Sequence, residues 1–199
     1  MGYTVVRCLI LFLTFVVCVF AVKKIFKIST KRQVMISFAV SLILMQLFCI
    51  IPIENAFVTF STPEKAYSYS ESGITRLAIN GEKTVFIVGE SGDKDVYIIM
   101  PKSRDGYKLG FKFFQKTLLY NYNSIIINIY QYKDMGDYYI SVTDISGENF
   151  EITDNHNSEF YCLEKYQSHS NKTIYSYYAY IGDFNEQYTV IVNGQEIQF

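Results

Sequence analysis

The stretch from Val34 to Ile53, VMISFAVSLILMQLFCIIPI, contains no charged residue. An α-helix rises about 1.5 Å per residue, so roughly 20 such residues match a hydrocarbon core about 30 Å thick. The run predicts a transmembrane helix and divides the chain into a membrane part before it and a water-soluble part after it. Acidic residues are absent through Ile53, where Arg7, Lys23, Lys24, Lys27, Lys31 and Arg32 give +6. The remaining twelve bases and nineteen acids give −7, so the overall charge of −1 is a cancellation between two unlike parts.

A first apolar run extends from Cys8 to Val22. With Tyr3 to Val6 it also reaches roughly 20 residues. Arg7, inside its first turns, is placed to snorkel toward headgroups. A cleaved signal peptide is the competing reading. No A-x-A-like site follows, however, and Lys23-Lys24 stand after the apolar run rather than before it. Val17 before Cys18 is also too large for a lipid-attachment signal. The sequence therefore predicts a two-helix anchor over residues 1–53. Its loop, residues 23–33, reads KKIFKISTKRQ and holds five of the six bases. The positive-inside rule assigns that loop to the cytoplasm, with the N-terminus and the C-terminal domain outside the cell membrane. Membrane lipid is then an obligatory partner.

Residues 54–199 follow almost without a linker and suffice for one domain with its own core. Cys162 is the only cysteine there, which excludes a disulfide-stapled module. Thr62-Pro63 supplies a cap and a first helical residue, predicting a short helix over Pro63–Ser70. Ser61 and Glu64 have capping-box spacing. From Ile74 onward the pattern has period two. Strands are predicted at 74–79, 84–89, 96–100, 107–113, 124–132, 138–143, 148–152, 159–164, 173–181, 188–192 and 195–199. Asn193-Gly194 is the strongest turn signal, suited to a type I′ hairpin that would put Val190 and Val192 on one face. Ile125, Ile127 and Ile129 alternate with Ile126, Asn128 and Tyr130, as expected of a central strand covered on both sides. The expected fold is two transmembrane α-helices plus a mainly antiparallel β domain, a sandwich or strongly bent sheet, with one short N-terminal helix.

The run Ile53-Glu54-Asn55-Ala56-Phe57, followed by Phe60-Ser61-Thr62-Pro63-Glu64-Lys65-Ala66-Tyr67, resembles a group of short membrane-anchored proteins of Gram-positive bacteria. These place an F-x-T-P-E-E-A-like start just after a membrane helix and then a β-rich region; here Lys65 replaces the second acid. The resemblance covers about 15 residues and implies a bacterial cell-surface setting. It carries no activity and no site residues.

Three groups of residues are candidates for chemistry. Lys102, Arg104, Lys108, Lys112 and Lys116, interleaved with Tyr107, Phe111, Phe113 and Phe114, carry +4 after Asp105 is counted. Such a stretch either forms the solvated side of an amphipathic strand or binds anionic headgroups or wall polymer. The net −7 of an outward-facing domain argues against nucleic acid. Asp154-Asn155-His156-Asn157-Ser158-Glu159 is oxygen-rich, but it lacks the glycine and terminal glutamate of a calcium loop and reads as a polar turn. Cys162 with His156 or His169 is the one nucleophile-and-base combination, although Phe160-Tyr161-Cys162-Leu163 reads as an ordinary half-buried strand. One cysteine and two histidines are too few for a zinc site. P-loop, G-x-G-x-x-G, G-x-S-x-G and H-E-x-x-H motifs do not occur, so neither a cofactor nor an enzyme is expected. Tyr175 and Tyr177 share one strand face and are the expected contact for another membrane or cell-surface protein. The expected role is presentation of the β domain for partner binding or scaffolding.

Overall fold

The computed structural model describes residues 2–25, 30–92, 94–133, 135–167 and 171–199. Helix α1 spans Gly2–Ile25 and α2 spans Thr30–Ile50. They run back along one another: Arg7 reaches Ile51 and Glu54, while Phe15 meets Phe38 edge-on. Ser37 and Ser41 are buried, and Ser41 Oγ donates to the Ser37 carbonyl. Small residues one turn apart let two helices approach closely, a function the missing G-x-x-x-G pattern would otherwise serve. Most other apolar side chains of both helices are exposed, among them Leu9, Phe12, Leu13, Val17, Phe20, Met35 and Ile43. Among the described residues, one helix is long and apolar enough to cross a membrane, over Val5–Lys24.

Beyond a 3₁₀ turn at Ile53–Ala56, helix α3 occupies Pro63–Ser70, as its cap residues predict. Thr62 Oγ1 accepts from the Lys65 amide. The third helical residue is thus Lys65, so the capping box expected from Ser61 and Glu64 does not close; Lys65 Nζ donates to Ser61 Oγ instead. The strands are β1 Ile74–Asn80, β2 Thr84–Ser91, β3 Lys94–Ser103, β4 Gly106–Tyr107, β5 Gln115–Tyr122, β6 Ile125–Tyr132, β7 Tyr138–Asp144, β8 Ile152–Asp154, β9 Tyr161–Gln167, β10 Lys172–Gly182, β11 Thr189–Val192 and β12 Gln195–Gln198.

All strand pairs are antiparallel and fall into three sheets, β1-β2-β3-β4, β5-β6-β7-β10-β9 and β12-β11-β8. Three cores separate the layers. Ala66 and Tyr67 of α3 cover Val85, Ile87, Ile98 and Met100 of the first sheet. Phe86, Val88 and Ile99, on the opposite face of those strands, meet Tyr130, Tyr139 and Tyr178 of the five-stranded sheet. That sheet's other face packs Ile127, Ile129, Ile140, Val142 and Ala179 against Val190, Val192 and Ile197. The alternation read along β6 therefore holds: the strand is central and covered on both sides. The Tyr67 ring lies so close to β2 that a Cβ on Gly89 would stand 2.2 Å from its hydroxyl, so only glycine fits there. Asn193 and Gly194 both take positive φ, 49° and 77°, and close the β11–β12 hairpin as expected.

Three strand expectations need correction. Residues 107–113 do not form a strand. Only Gly106–Tyr107 pairs with β3, and Lys112–Phe114 is a 3₁₀ turn. The backbone of Leu109 is bound by a side chain, Asn55, rather than by a neighbouring strand. The expected strand at 148–152 starts instead at Ile152, because Phe150 turns inward and packs on Tyr177. Finally, β5 was not anticipated. Most of its residues are exposed, so burial leaves no alternating pattern, and its ladder to β6 holds it.

Candidate functional site

The most specific constellation in the chain lies where the helices meet the β domain. Ile51 to Phe60 connects them, and each backbone turn of this connector is bound from another element. Arg7 Nε and Nη2 donate to the two Glu54 carboxylate oxygens at 2.7 and 2.8 Å. The pair is well enclosed, with side-chain exposures of 10% and 2%. Forked pairing of this kind is stronger and more directional than a single contact. Removing one partner of an enclosed pair strands the other charge. Arg7 is thus tied to Glu54 at this junction rather than simply extended toward headgroups.

Next along the connector, the Asn55 side chain bonds both ways with Leu109: Nδ2 donates to its carbonyl at 2.9 Å, and Oδ1 accepts from its amide at 2.7 Å. Lys108 Nζ donates to the Asn55 and Val58 carbonyls, both at 2.8 Å. Phe60 and Tyr107 exchange a reciprocal pair of backbone hydrogen bonds at 2.9 and 2.8 Å. Lys112 Nζ reaches Glu71 Oε1, just past the end of α3, at 2.7 Å. The Asn55, Lys108 and Phe60–Tyr107 contacts fasten the connector to the segment 107–109, and Lys112 ties that segment to the end of α3.

The five basic candidates therefore separate. Lys108 and Lys112 belong to this clasp. Lys102 Nζ donates to the Gly81 carbonyl at 2.6 Å, a contact inside the domain. Arg104 is exposed at the β3–β4 turn, and Lys116 is exposed on β5. The stretch is not one basic strand face, because there is no strand at 108–113 to align it.

Tyr175 and Tyr177 do share a face, but both are half-buried against the aliphatic core. The Tyr177 hydroxyl donates to Asn149 Oδ1 at 2.6 Å, and Phe150 packs against its ring at a tilt of 56°. Burial, followed by the contact with Cys162, pushes its pKa up to about 12. Asp154 of the oxygen-rich turn faces inward. It accepts from the His156 and Ser158 amides and from the Tyr188 hydroxyl, which is a turn-forming role. His156 Nδ1 lies 3.2 Å from the Ile181 carbonyl. His169 lies outside the described residues. Cys162 is exposed, yet desolvation raises its thiol pKa, the Tyr177 hydroxyl bond lowers it, and the Glu164 charge raises it; the net upward shift is unsuited to a nucleophile. Among the described residues, no group of three or more His, Cys, Asp or Glu side chains could hold a metal.

Sequence reasoning missed Asp137. This residue, 2% exposed, accepts from three successive amides of the β1–β2 turn: Glu82 at 3.2 Å, Lys83 at 2.7 Å and Thr84 at 2.6 Å. The Thr84 and Tyr180 hydroxyls also donate to it. The carboxylate thereby joins the first sheet to the second. A single Asp in a loop carries no local signal for such a role. A cleft of about 250 Å³ also opens between these sheets, bordered by Arg76, Asp95, Tyr97, Glu164, Lys165 and Tyr178. Three of these charges are engaged within the fold: Arg76 pairs with Glu90, and Lys165 with Asp95.

The chain matches no protein-family model, no curated protein and no solved structure.

Proposed function

We propose that the protein is a two-pass membrane protein that holds its β domain against the outer surface of the cell membrane as a binding or scaffolding module, without catalysis of its own. The clasp at the helix–domain junction is the observation that carries this reading. Two helices with outward-facing apolar side chains suit lipid, where no water competes for their surface. A module meant to sample many orientations would have a flexible Gly/Ser tether. Here the connector is bound by Arg7, Lys108, the Leu109 backbone and Tyr107. Rigid attachment favours presentation of a fixed surface to something else in or on the same membrane. The basic loop between the helices supports a cytoplasmic turn and an outward domain. The F-S-T-P-E-K-A start supports a Gram-positive cell surface.

Protease added to intact cells tests the placement. Loss of the β domain, with a cytoplasmic control protein untouched, is the expected result. Survival of the domain on intact cells, together with its digestion after lysis, would overturn the outward orientation.

A further inference from the structure

Phe57 and Phe113 are 88% and 80% exposed, the two highest values among the exposed large hydrophobic residues. They exceed even the apolar side chains of α1 and α2. Single exposed apolar residues are ordinary on protein surfaces. The position of these two is not. Phe57 lies two residues after Asn55 and Phe113 four residues after Leu109, and Asn55 and Leu109 are joined by two hydrogen bonds. Chain reach alone keeps Phe113 within about 14 Å of Leu109. Lys112 ties the same turn to Glu71 beyond α3, a helix that in turn approaches α1. Both rings therefore belong to the end of the domain from which the helices emerge.

Neither ring is exposed through slackness of its backbone. The Phe57 and Val58 amides both donate to the Glu54 carbonyl, and Lys108 holds the Val58 carbonyl. Phe113 stands in a 3₁₀ turn whose other phenylalanines, Phe111 and Phe114, pack edge-on to one another and into the tyrosine core. Ile51 and Val58, also exposed, extend the apolar surface beside Phe57. Lys112, next to Phe113 in the chain, is held by Glu71, which fixes the turn that presents the ring. Exposed aromatic rings close to the end of a membrane helix match the chemistry of a bilayer interface, where such rings sit at the acyl boundary.

We propose that Phe57 and Phe113 insert into the outer leaflet and set the β domain flat on the bilayer, giving the anchor a second point of attachment to lipid. This rests on the membrane reading above. The occupant of the face is lipid rather than a protein because the face adjoins the connector that leaves the membrane helices.

The chain contains no tryptophan, so single reporters have no background. F57W and F113W would be made in the full-length protein, with F12W in α1 and Y166W on β9 as references. Each variant would be reconstituted in vesicles of phosphatidylcholine and phosphatidylglycerol, with lipids brominated near the glycerol end or near the methyl end of the chains. Blue-shifted emission for F57W and F113W is expected, with more quenching by the shallow bromines than by the deep ones. F12W should be quenched by deep bromines, and Y166W by neither. If F12W is quenched while F57W and F113W emit as if in water, the anchor stands and the inference fails. Blue-shifted but unquenched emission from F57W and F113W would assign the face to a protein interface and also overturn it. An unquenched F12W would remove both the inference and the membrane reading on which it depends.

Discussion

Strands β6, β7 and β10 face two different interiors. On one side they supply Ile127, Ile129, Ile140, Val142, Ala179 and Ile181 to a mainly aliphatic core closed by the C-terminal sheet, in which Tyr188 is the one fully buried tyrosine and bonds Asp154. On the other they supply Tyr130, Tyr132, Tyr139 and Tyr178 to a core closed by Phe86, Val88 and Ile99. Aliphatic burial is non-directional and needs only the exclusion of water. A tyrosine core must also find a partner for each hydroxyl. Tyr139 lies 2.8 Å from Thr84 Oγ1, Tyr130 is 3.4 Å from Ser141 Oγ, and Tyr97 and Tyr178 meet at 3.5 Å. Asp137, with Tyr180 and Thr84, anchors this network. The aliphatic side supplies much of the gross stabilisation, whereas the tyrosine side fixes how the first two sheets register on one another.

Asp137→Ala is expected to have the largest effect. It strands three amides and the Tyr180 hydroxyl and leaves Thr84 Oγ1 with Tyr139 alone, which should cost about 4 kcal/mol or more. Chemical unfolding of the detergent-solubilised full-length protein would measure it. Ile140→Ala opens a cavity in the aliphatic core and should cost about 3 kcal/mol. If Ile140→Ala proved clearly the more damaging, the tyrosine side would be an ordinary apolar core with incidental polar contacts. Tyr139→Phe keeps the ring but removes the bond to Thr84, for an expected loss of about 1 kcal/mol. A neutral result would mean that Asp137 alone satisfies Thr84.

The same contrast explains what could be read before the structure. Period-two alternation along β6 and β10 announces two buried faces, and both strands appear as expected. Thr62-Pro63 and Asn193-Gly194 are local devices that act within a few residues, and α3 and the final hairpin follow from them. The failures are non-local. The Leu109 backbone is satisfied by Asn55, 54 residues away, which replaces the expected strand. Glu54 is matched to Arg7 across 47 residues. Asp137 serves a turn more than 50 residues before it. An edge strand such as β5 shows little alternation, because most of its side chains are exposed. Arg7, Glu54, Lys108 and Lys112 of the clasp were visible in the sequence as charges, but nothing in it could say that Lys108 would bind backbone carbonyls instead of an external anion.

The smallest expected effect is also the most selective. Tyr177 lies on the aliphatic side and Tyr180 on the tyrosine side, and both pKa values are pushed up to about 12. Burial is the first cause for each. The next is Cys162 for Tyr177 and the Asp137 charge for Tyr180. A phenol whose folded pKa lies above its unfolded value of 10.0 keeps its proton longest in the folded state. Its contribution to stability is therefore complete below pH 10 and declines as pH rises toward 12. Asp137→Asn removes the charge while retaining an oxygen acceptor. The Tyr180 titration, followed by NMR of selectively labelled tyrosine, should then move down toward the ordinary range, and Tyr177 should not move. A shift of both would mean that the substitution loosened the whole sheet. A shift of neither would mean that burial alone holds the Tyr180 proton, and the Asp137 carboxylate would then act on the tyrosine side through its hydrogen bonds and not through its charge.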